Sequence, residues 1–352
     1  MEIIDVNTNE LRKAYLKFNQ SLYKNNQNFK GYTIYLLKDF LYKQSEFTHR
    51  IKSYPIMVID NEIKVTAILV IANHTCFISF LEFVNHQKYL SALIKYAEEF
   101  AVKNNAKRIL IGINGHVSYG AGILTEGFDN PQLFCCNYNL DYYPKLLAGL
   151  KFKQQDVTSY LQDFSKIDFS DEVIKEVESK FTFRKLDKAN YKKDILIFGD
   201  LCHKTLSNTA NYYERTAEEM YELIKDMKFI LKPDDLTFAM KDGKEVGFLF
   251  LHPDYNELVK GNSFKPISLF MQYKLHQGKT EKMIFNTMGV LPEYRKEKIM
   301  VGLFANILEY VQTNFKFGVT TFIQSENVSS DTLSKSLSIG VYNRYCIYEK
   351  EV

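Results

Sequence analysis

One stretch of the chain combines residue types in an order that suits anion binding. In Asn286-Thr-Met-Gly-Val-Leu-Pro-Glu-Tyr-Arg-Lys-Glu-Lys-Ile-Met-Val-Gly302 an apolar strand runs through a Pro-containing turn straight into an amphipathic helix. The first N–H groups of a helix have no internal acceptors and carry the positive end of its dipole. Such a junction beside Arg295, Lys296 and Lys298 is therefore a natural cradle for a pyrophosphate. The plainer reading of the same residues is a strand-to-helix connection with a solvated charge run. Other chemistries find less support. The five cysteines, Cys76, Cys135, Cys136, Cys202 and Cys346, are odd in number, form no CxxC and sit near no regularly spaced histidine. Neither a disulfide framework nor a zinc site is expected, and no Ser/His/Asp or Cys/His spacing suggests a nucleophile.

The elements that must position this junction are readable from hydrophobic periodicity. An apolar strand over 76–83, a helix with Leu90, Leu93, Ile94, Ala97, Phe100 and Ala101 on one face, and a strand over 108–113 make a βαβ unit. The same order returns as a strand over 282–290, a helix carrying Met300, Leu303, Phe304, Ile307, Leu308 and Val311, and a strand over 319–324. Each unit is followed by a short helix (142–150; 331–338) and a closing strand (157–161; 344–349). In the second half a hairpin precedes the unit, its strands flanking Lys241-Asp242-Gly243-Lys244, where Asp-Gly signals a tight turn. One fold used twice is the expectation, with halves 1–167 and 168–352 meeting at the polar, acidic run 168–180. Repeats of this size are domain duplications, since each copy has apolar surface enough for its own core.

Composition bounds the partners. Of 352 residues, Lys and Arg number 45 and Asp and Glu 42, a net charge of +3, so no strong pull toward nucleic acid or acidic lipid is expected. Hydrophobic residues at 46% and aromatics at 14% fit a folded globular protein. The acidic N-terminus lacks the apolar core of a signal peptide. The longest apolar stretch, 66–84, is broken by Asn73, His74, Thr75 and Glu82, too polar for a membrane span of about 20 residues. A reduced, cytoplasmic setting is expected, with the oligomeric state open.

At the junction the sequence resembles the GNAT family of acyl-CoA-dependent N-acyltransferases, whose V-x-P-x-x-[RQ]-x-x-G-x-[GA] signature is matched by Val290, Pro292 and Arg295. Lys298 and Met300 stand where that family carries its small residues. The resemblance implies an α/β fold with a mixed, mostly antiparallel sheet flanked by helices, here in tandem. It implies that the backbone of Met288, Gly289 and Val290 holds the thioester of acetyl-CoA or a longer acyl-CoA. Arg295, Lys296, Glu297, Lys298, Ile299 and Met300 would wrap its pyrophosphate, and Asn327, after the next strand, would contact the cofactor arm. The helix over 331–338 holds no tyrosine to protonate the leaving thiolate, as the family often does.

The whole chain is similar to a bacterial group of tandem-GNAT proteins. Gly112-Ile-Asn-Gly-His116, Gly122 to Pro131, Asn137 to Tyr143 and Lys151 to Asp156 carry that likeness, with His252-Pro253-Asp254-Tyr255-Asn256 in the second half. The first half has Asn85-His-Gln-Lys-Tyr89 in place of the Arg295 cradle, so at most one CoA site is expected. Its extra segment, Gly115 to Asn137, carries four glycines and lies at the C-terminal edge of a sheet. Open α/β folds bind ligands at that edge. This segment is either a substrate-recognition loop, through Glu126 and Asp129 with Tyr142 and Tyr143 nearby, or packing between the two copies. An amine acceptor must lose a proton from a group whose pKa is near 10.4, which needs a base. Glu82, Asp254 and His252 are the candidates. The reading is an acyltransferase joining an acyl group to a small-molecule amine by direct attack in a ternary complex, with no metal. The alternative is a non-catalytic ligand-binding or regulatory protein on the same fold.

Overall fold

A computed structural model of the chain describes residues 1–276 and 279–352. The first half runs β1 (Glu2–Asp5), α1 (Asn9–Leu22), α2 (Tyr32–Tyr42), α3 (Glu46–Arg50), β2 (Lys52–Asp60), β3 (Glu62–Ala72), β4 (Thr75–Phe83), α4 (Gln87–Lys103), β5 (Arg108–Ile111), β6 (Ile123–Glu126), α5 (Tyr142–Ala148) and β7 (Lys153–Asp163). The second runs α6 (Asp171–Glu178), β8 (Thr182–Lys185), α7 (Tyr191–Leu206), α8 (Ala217–Ile224), β9 (Leu236–Lys241), β10 (Lys244–Pro253), α9 (Pro266–Leu275), β11 (Lys282–Val290), α10 (Ile299–Asn314), β12 (Phe317–Thr320), β13 (Ile323–Gln324), α11 (Val328–Leu337) and β14 (Gly340–Glu351).

Turn chemistry sets the hairpins. Asp242 and Gly243 both take positive φ, and so do Asn73 and His74 between β3 and β4. That backbone twist matches two antiparallel strands, and Asp, Asn and Gly tolerate it best. β4 is buried at every position, as expected of a central strand covered on both faces. Helix α4 lays Leu90, Leu93, Ile94, Ala97 and Ala101 against one face of the first half, and α10 lays Leu303, Phe304, Ile307 and Val311 against the second.

All strands join one sheet in the order β1-β2-β3-β4-β5-β14-β7-β12-β11-β10-β9-β8, with β6 on β14 and β13 on β7. The halves have exchanged their closing strands. β14 pairs β5, β6 and β7, and β7 pairs β12, β13 and β14, so neither closing strand pairs within its own half. The long β14–β7 ladder, Gly340↔Leu161 to Glu349↔Lys153, is the seam between the copies. The strand expected over 319–324 is two short strands broken at Thr321 and Phe322, and α9 is a helix that the periodicity of the sequence had not indicated.

Candidate functional site

The break at Thr321 opens a wedge in the sheet. β11 and β12 run parallel from Lys282↔Phe317 to Phe285↔Thr320 and then part. β11 continues to Val290, while β13 turns away to pair with β7 at Ile323↔Thr158 and Gln324↔Val157. On the other side of β11 the register slips, Phe250 facing Thr287 and Leu251 facing Phe285. Asn286 is thereby an extra residue, and such a bulge bends its strand. Thr321 pins the apex, its N–H donating to the Phe285 carbonyl at 3.2 Å and its hydroxyl to the Asn286 carbonyl at 3.1 Å.

Below this wedge lies a cavity of about 640 Å³. Its floor is Phe285–Met288 and 320–324, one wall comes from α7 and α8, another from α9, and the first half adds Tyr32, Val117, Ser118, Phe134 and Cys135. The segment 115–137 thus does two things. Residues 117–118 and 134–135 line the cavity, and Phe134 packs its ring against His252, Tyr255 and Phe264 of the second half.

Polar groups gather at the wedge end. His252 is fully buried, stacked 5.6 Å from the Tyr255 ring. Its Nδ1 lies 2.9 Å from the Pro253 carbonyl, which can only accept, so Nδ1 carries the proton of the neutral ring. Nε2 is then an acceptor, facing the Asn286 amide nitrogen at 3.2 Å. Burial disfavours the imidazolium and holds the ring's pKa down at about 4. The Thr287 hydroxyl donates to Asn286 Oδ1 at 2.8 Å. Asn327 caps α11 by accepting from the Ser330 N–H at 3.3 Å and also faces the cavity. Gln324 Oε1, on the β13 side, is buried and receives no hydrogen bond among the described residues. A buried acceptor of this kind is costly to leave unfilled.

The basic turn lies beyond Val290. Arg295 donates through Nη2 to the Thr205 carbonyl at 3.0 Å and through Nε to the Val290 carbonyl at 3.4 Å, fastening the turn to the C-terminal end of α7. Lys296 is exposed. Lys298 sits at φ +56, a left-handed conformation that favours glycine, and its ammonium reaches Glu176 at 2.8 Å. Glu297 receives Lys180 at 3.1 Å, while Ile299 is buried and Met300 half-buried in the α10 core. Gly289 permits close packing, since a Cβ there would lie 2.3 Å from Thr205 Oγ1.

The first half repeats the wedge and fills it. β4 and β5 pair from Thr75↔Arg108 to Ile78↔Ile111 before β4 runs on, and Phe80 at φ +49 marks its bulge. Here the strand's polar groups are taken by side chains. Asn114 Oδ1 accepts from the Phe80 N–H at 2.7 Å, Tyr143 Oη accepts from the Phe83 N–H at 3.0 Å, and the Tyr142 hydroxyl donates to the Phe83 carbonyl. Glu82 lies in the same cluster, receiving the Tyr23 hydroxyl at 2.9 Å and the Tyr143 hydroxyl at 2.5 Å. Burial pushes its pKa up to about 8, against the two hydrogen bonds that pull it down.

Of the three candidate bases, His252 lines the cavity, and Glu82 and Asp254 do not. Asp254 is buried and caps a turn, its Oδ1 accepting from the N–H of Phe134 at 3.0 Å and of Asn256 at 3.2 Å, which clips the first-half segment to the second half. Glu126 is exposed and paired with Arg344 at 3.1 Å, and Asp129 is exposed outside the cavity. Asn286, Thr321, Gln324 and the walls from α7, α8 and α9 are functional-site candidates that the three-dimensional arrangement brings out. Their signal was the polar pairs Asn286-Thr287 and Thr320-Thr321 interrupting apolar strands.

No family model matches the chain. The Protein YghO of Escherichia coli K-12 is 21% identical over 276 residues, 74% of this chain and 70% of that protein. A tandem GNAT protein from the clavulanic acid biosynthesis pathway superimposes with a TM-score of 0.57 at 10% identity, covering 99% of this chain and 98% of that one. A probable N-acyltransferase of Enterococcus faecalis V583 gives 0.55 at 9% identity, over all of this chain and 72% of its own. A GCN5-related glucosamine N-acetyltransferase region of a fungal GH3 β-N-acetylglucosaminidase gives 0.59 at 11%, over 99% of this chain and 38% of that one. The chain has the tandem GNAT fold.

Proposed function

We propose that this tandem-GNAT chain transfers an acyl group from an acyl-CoA to an amine of a small molecule, using the wedge of the second half alone. The observation that carries the reading is the contrast between two equivalent wedges, one open onto a cavity and one closed by its own side chains.

The residues of the open wedge fit the co-substrate. Among the described residues, β11 extends from Asn286 to Val290 with no strand beside it on the β12 side, and Gln324 Oε1 offers a buried acceptor to an amide N–H lying there. In this reading the backbone of Met288–Val290 holds the pantetheine arm, and the turn Arg295–Met300 with the start of α10 faces the pyrophosphate. That first turn of α10 contains no acidic residue, and Lys296 adds charge. Arg295 acts by shape, keeping the turn against α7. Asn327 and Ser330 lie where the arm would pass.

Acyl-CoA supplies the activated thioester; the chain supplies position and a proton acceptor. The attacking amine must shed a proton, and His252 Nε2 is the acceptor on the cavity wall, with the Asn286 amide orienting it and Nδ1–H fixed on the Pro253 carbonyl. Burial keeps the ring neutral across the physiological range but disfavours the imidazolium, so once the Asn286 amide turns aside from Nε2 the ring serves to relay the proton outward through water and not to store it.

Calorimetric titration with CoA and acetyl-CoA tests the reading. One site per chain is expected for each, with competition between them. Absence of binding by both defeats the proposal, and two sites per chain would show that the first-half wedge is not closed.

A further inference from the structure

We infer that the substrate bound in the cavity carries a linear apolar chain, much longer than an acetyl group, which lies between the α7–α8 wall and α9. This deepens the acyl-transfer reading and rests on it. The wedge contributes Asn286, Thr287, Thr321, Gln324 and His252 to the cavity, and the first half and the α7–α8 loop add Ser118, Thr209 and tyrosine hydroxyls. The α7, α8 and α9 walls present Phe198, Met220, Ile224, Met227 and Leu269, with no charged side chain among these five. Asp226 is the one acidic or basic side chain among the described lining residues apart from neutral His252, and it is exposed. A hydrophilic acceptor such as a sugar or an amino acid would leave its polar groups unpaired against these walls.

The volume agrees. About 640 Å³ is within the range of roughly 300 to 1,000 Å³ that encloses a sizeable organic ligand, and two carbons would fill little of it. The mouth is apolar as well. Phe229, Ile267 and Phe270 line the cavity and are 65%, 82% and 37% exposed. Isolated exposed apolar side chains are ordinary, but α9 continues with Met271 and Leu275, also exposed, so its outer face is apolar beside the opening. An apolar chain has two sources, the acyl group of the thioester or the tail of the amine.

Two ligand series separate them: acyl-CoAs from acetyl to dodecanoyl, and n-alkylamines of matching length, each titrated calorimetrically. Burying a methylene is worth about 0.8 kcal/mol, so Kd is expected to fall about fourfold for each added CH₂ in one series until the cavity is full. Gain along the acyl-CoAs assigns the chain to the donor, and gain along the alkylamines assigns it to the acceptor. Ala210→Trp, a half-buried loop position on the wall, should abolish the gain while leaving acetyl-CoA binding unchanged; Ile230→Trp serves if the first variant does not fold. Acetyl-CoA binding with no gain in either series overturns the inference and leaves the transferase reading standing. Alkylamine gain with no acyl-CoA bound at any length keeps the inference and removes the transferase reading.

Discussion

Glu82 offers a test that separates a structural carboxyl from a catalytic one. It is sealed between the hydroxyls of Tyr23 and Tyr143, and burial raises its pKa from 4.5 to about 8. The folded protein therefore keeps a proton on Glu82 that the unfolded chain has released at neutral pH. Where the native state binds more protons than the unfolded state, stability falls as pH rises. The contribution is complete below pH 4.5 and is lost through the window from 4.5 to about 8, at about 1.4 kcal/mol per pH unit and about 5 kcal/mol in all. Glu82→Gln keeps the shape of the protonated acid, with one donor and one acceptor end, and has no charge to release. Urea unfolding of both proteins from pH 5 to 9 at fixed ionic strength gives the difference curve, in which the background from other groups cancels. That includes Asp235 and Asp254, both raised to about 7 by burial. The variant should match the parent near pH 5 and gain on it by about 1.4 kcal/mol per unit up to pH 8. Acyl-CoA binding should not change. Parallel stability curves would refute the reasoning, since Glu82 would then be ionised in the folded state.

Two further substitutions probe the wedges. Gly289→Ala places a methyl 2.3 Å from Thr205 Oγ1 and 2.8 Å from the Phe248 ring. Overpacking there should cost about 1 to 3 kcal/mol in urea unfolding, with part of the loss recovered by pairing it with Thr205→Ala. Asn114→Ala leaves the Phe80 N–H without its acceptor and removes the amide's bonds to the Tyr119 carbonyl and Asn137 Oδ1. A loss of about 1 to 3 kcal/mol is expected, while calorimetry should still count one CoA site per chain because Tyr142 and Tyr143 continue to occupy the wedge.

What the sequence disclosed was governed by range. β11 is read at its true bounds, and α4 and α10 are read on the correct faces, because apolar periodicity is a local property. The Asp-Gly turn is local too. Glu82 was conspicuous as a lone acid in an apolar strand, but its chemistry depends on Tyr23 and Tyr143, 59 and 61 positions away. Nothing in the strand itself separates a buried, protonated acid from one at a solvent edge. His252 presents the same ambiguity, and its place on the cavity wall beside Asn286 depends on pairing between β10 and β11, which the strand itself does not reveal. The helix α9 is not legible in the sequence because it is apolar nearly all round, so no amphipathic stripe marks it.

The exchange of closing strands explains why residues of both halves meet around one cavity. A strand's own residues specify that it is extended, not which neighbour it meets, and β7 and β14 each follow a short helix. Because β7 crosses into the second half, the β13 side of the open wedge hangs on a first-half strand, through Ile323↔Thr158 and Gln324↔Val157. Because β14 crosses into the first half, β5 and β6 are completed by the last residues of the chain. The segment 115–137 adds a second tie, with Phe134 held by Asp254 and with Asn256 Nδ2 on the Gln132 carbonyl at 3.0 Å. The open wedge is thus built from both halves. The filled wedge is closed by Asn114, Tyr142 and Tyr143, whose side chains hydrogen-bond the β4 backbone. The first half thus helps to hold the second half's cavity in shape, and residues of both halves line it.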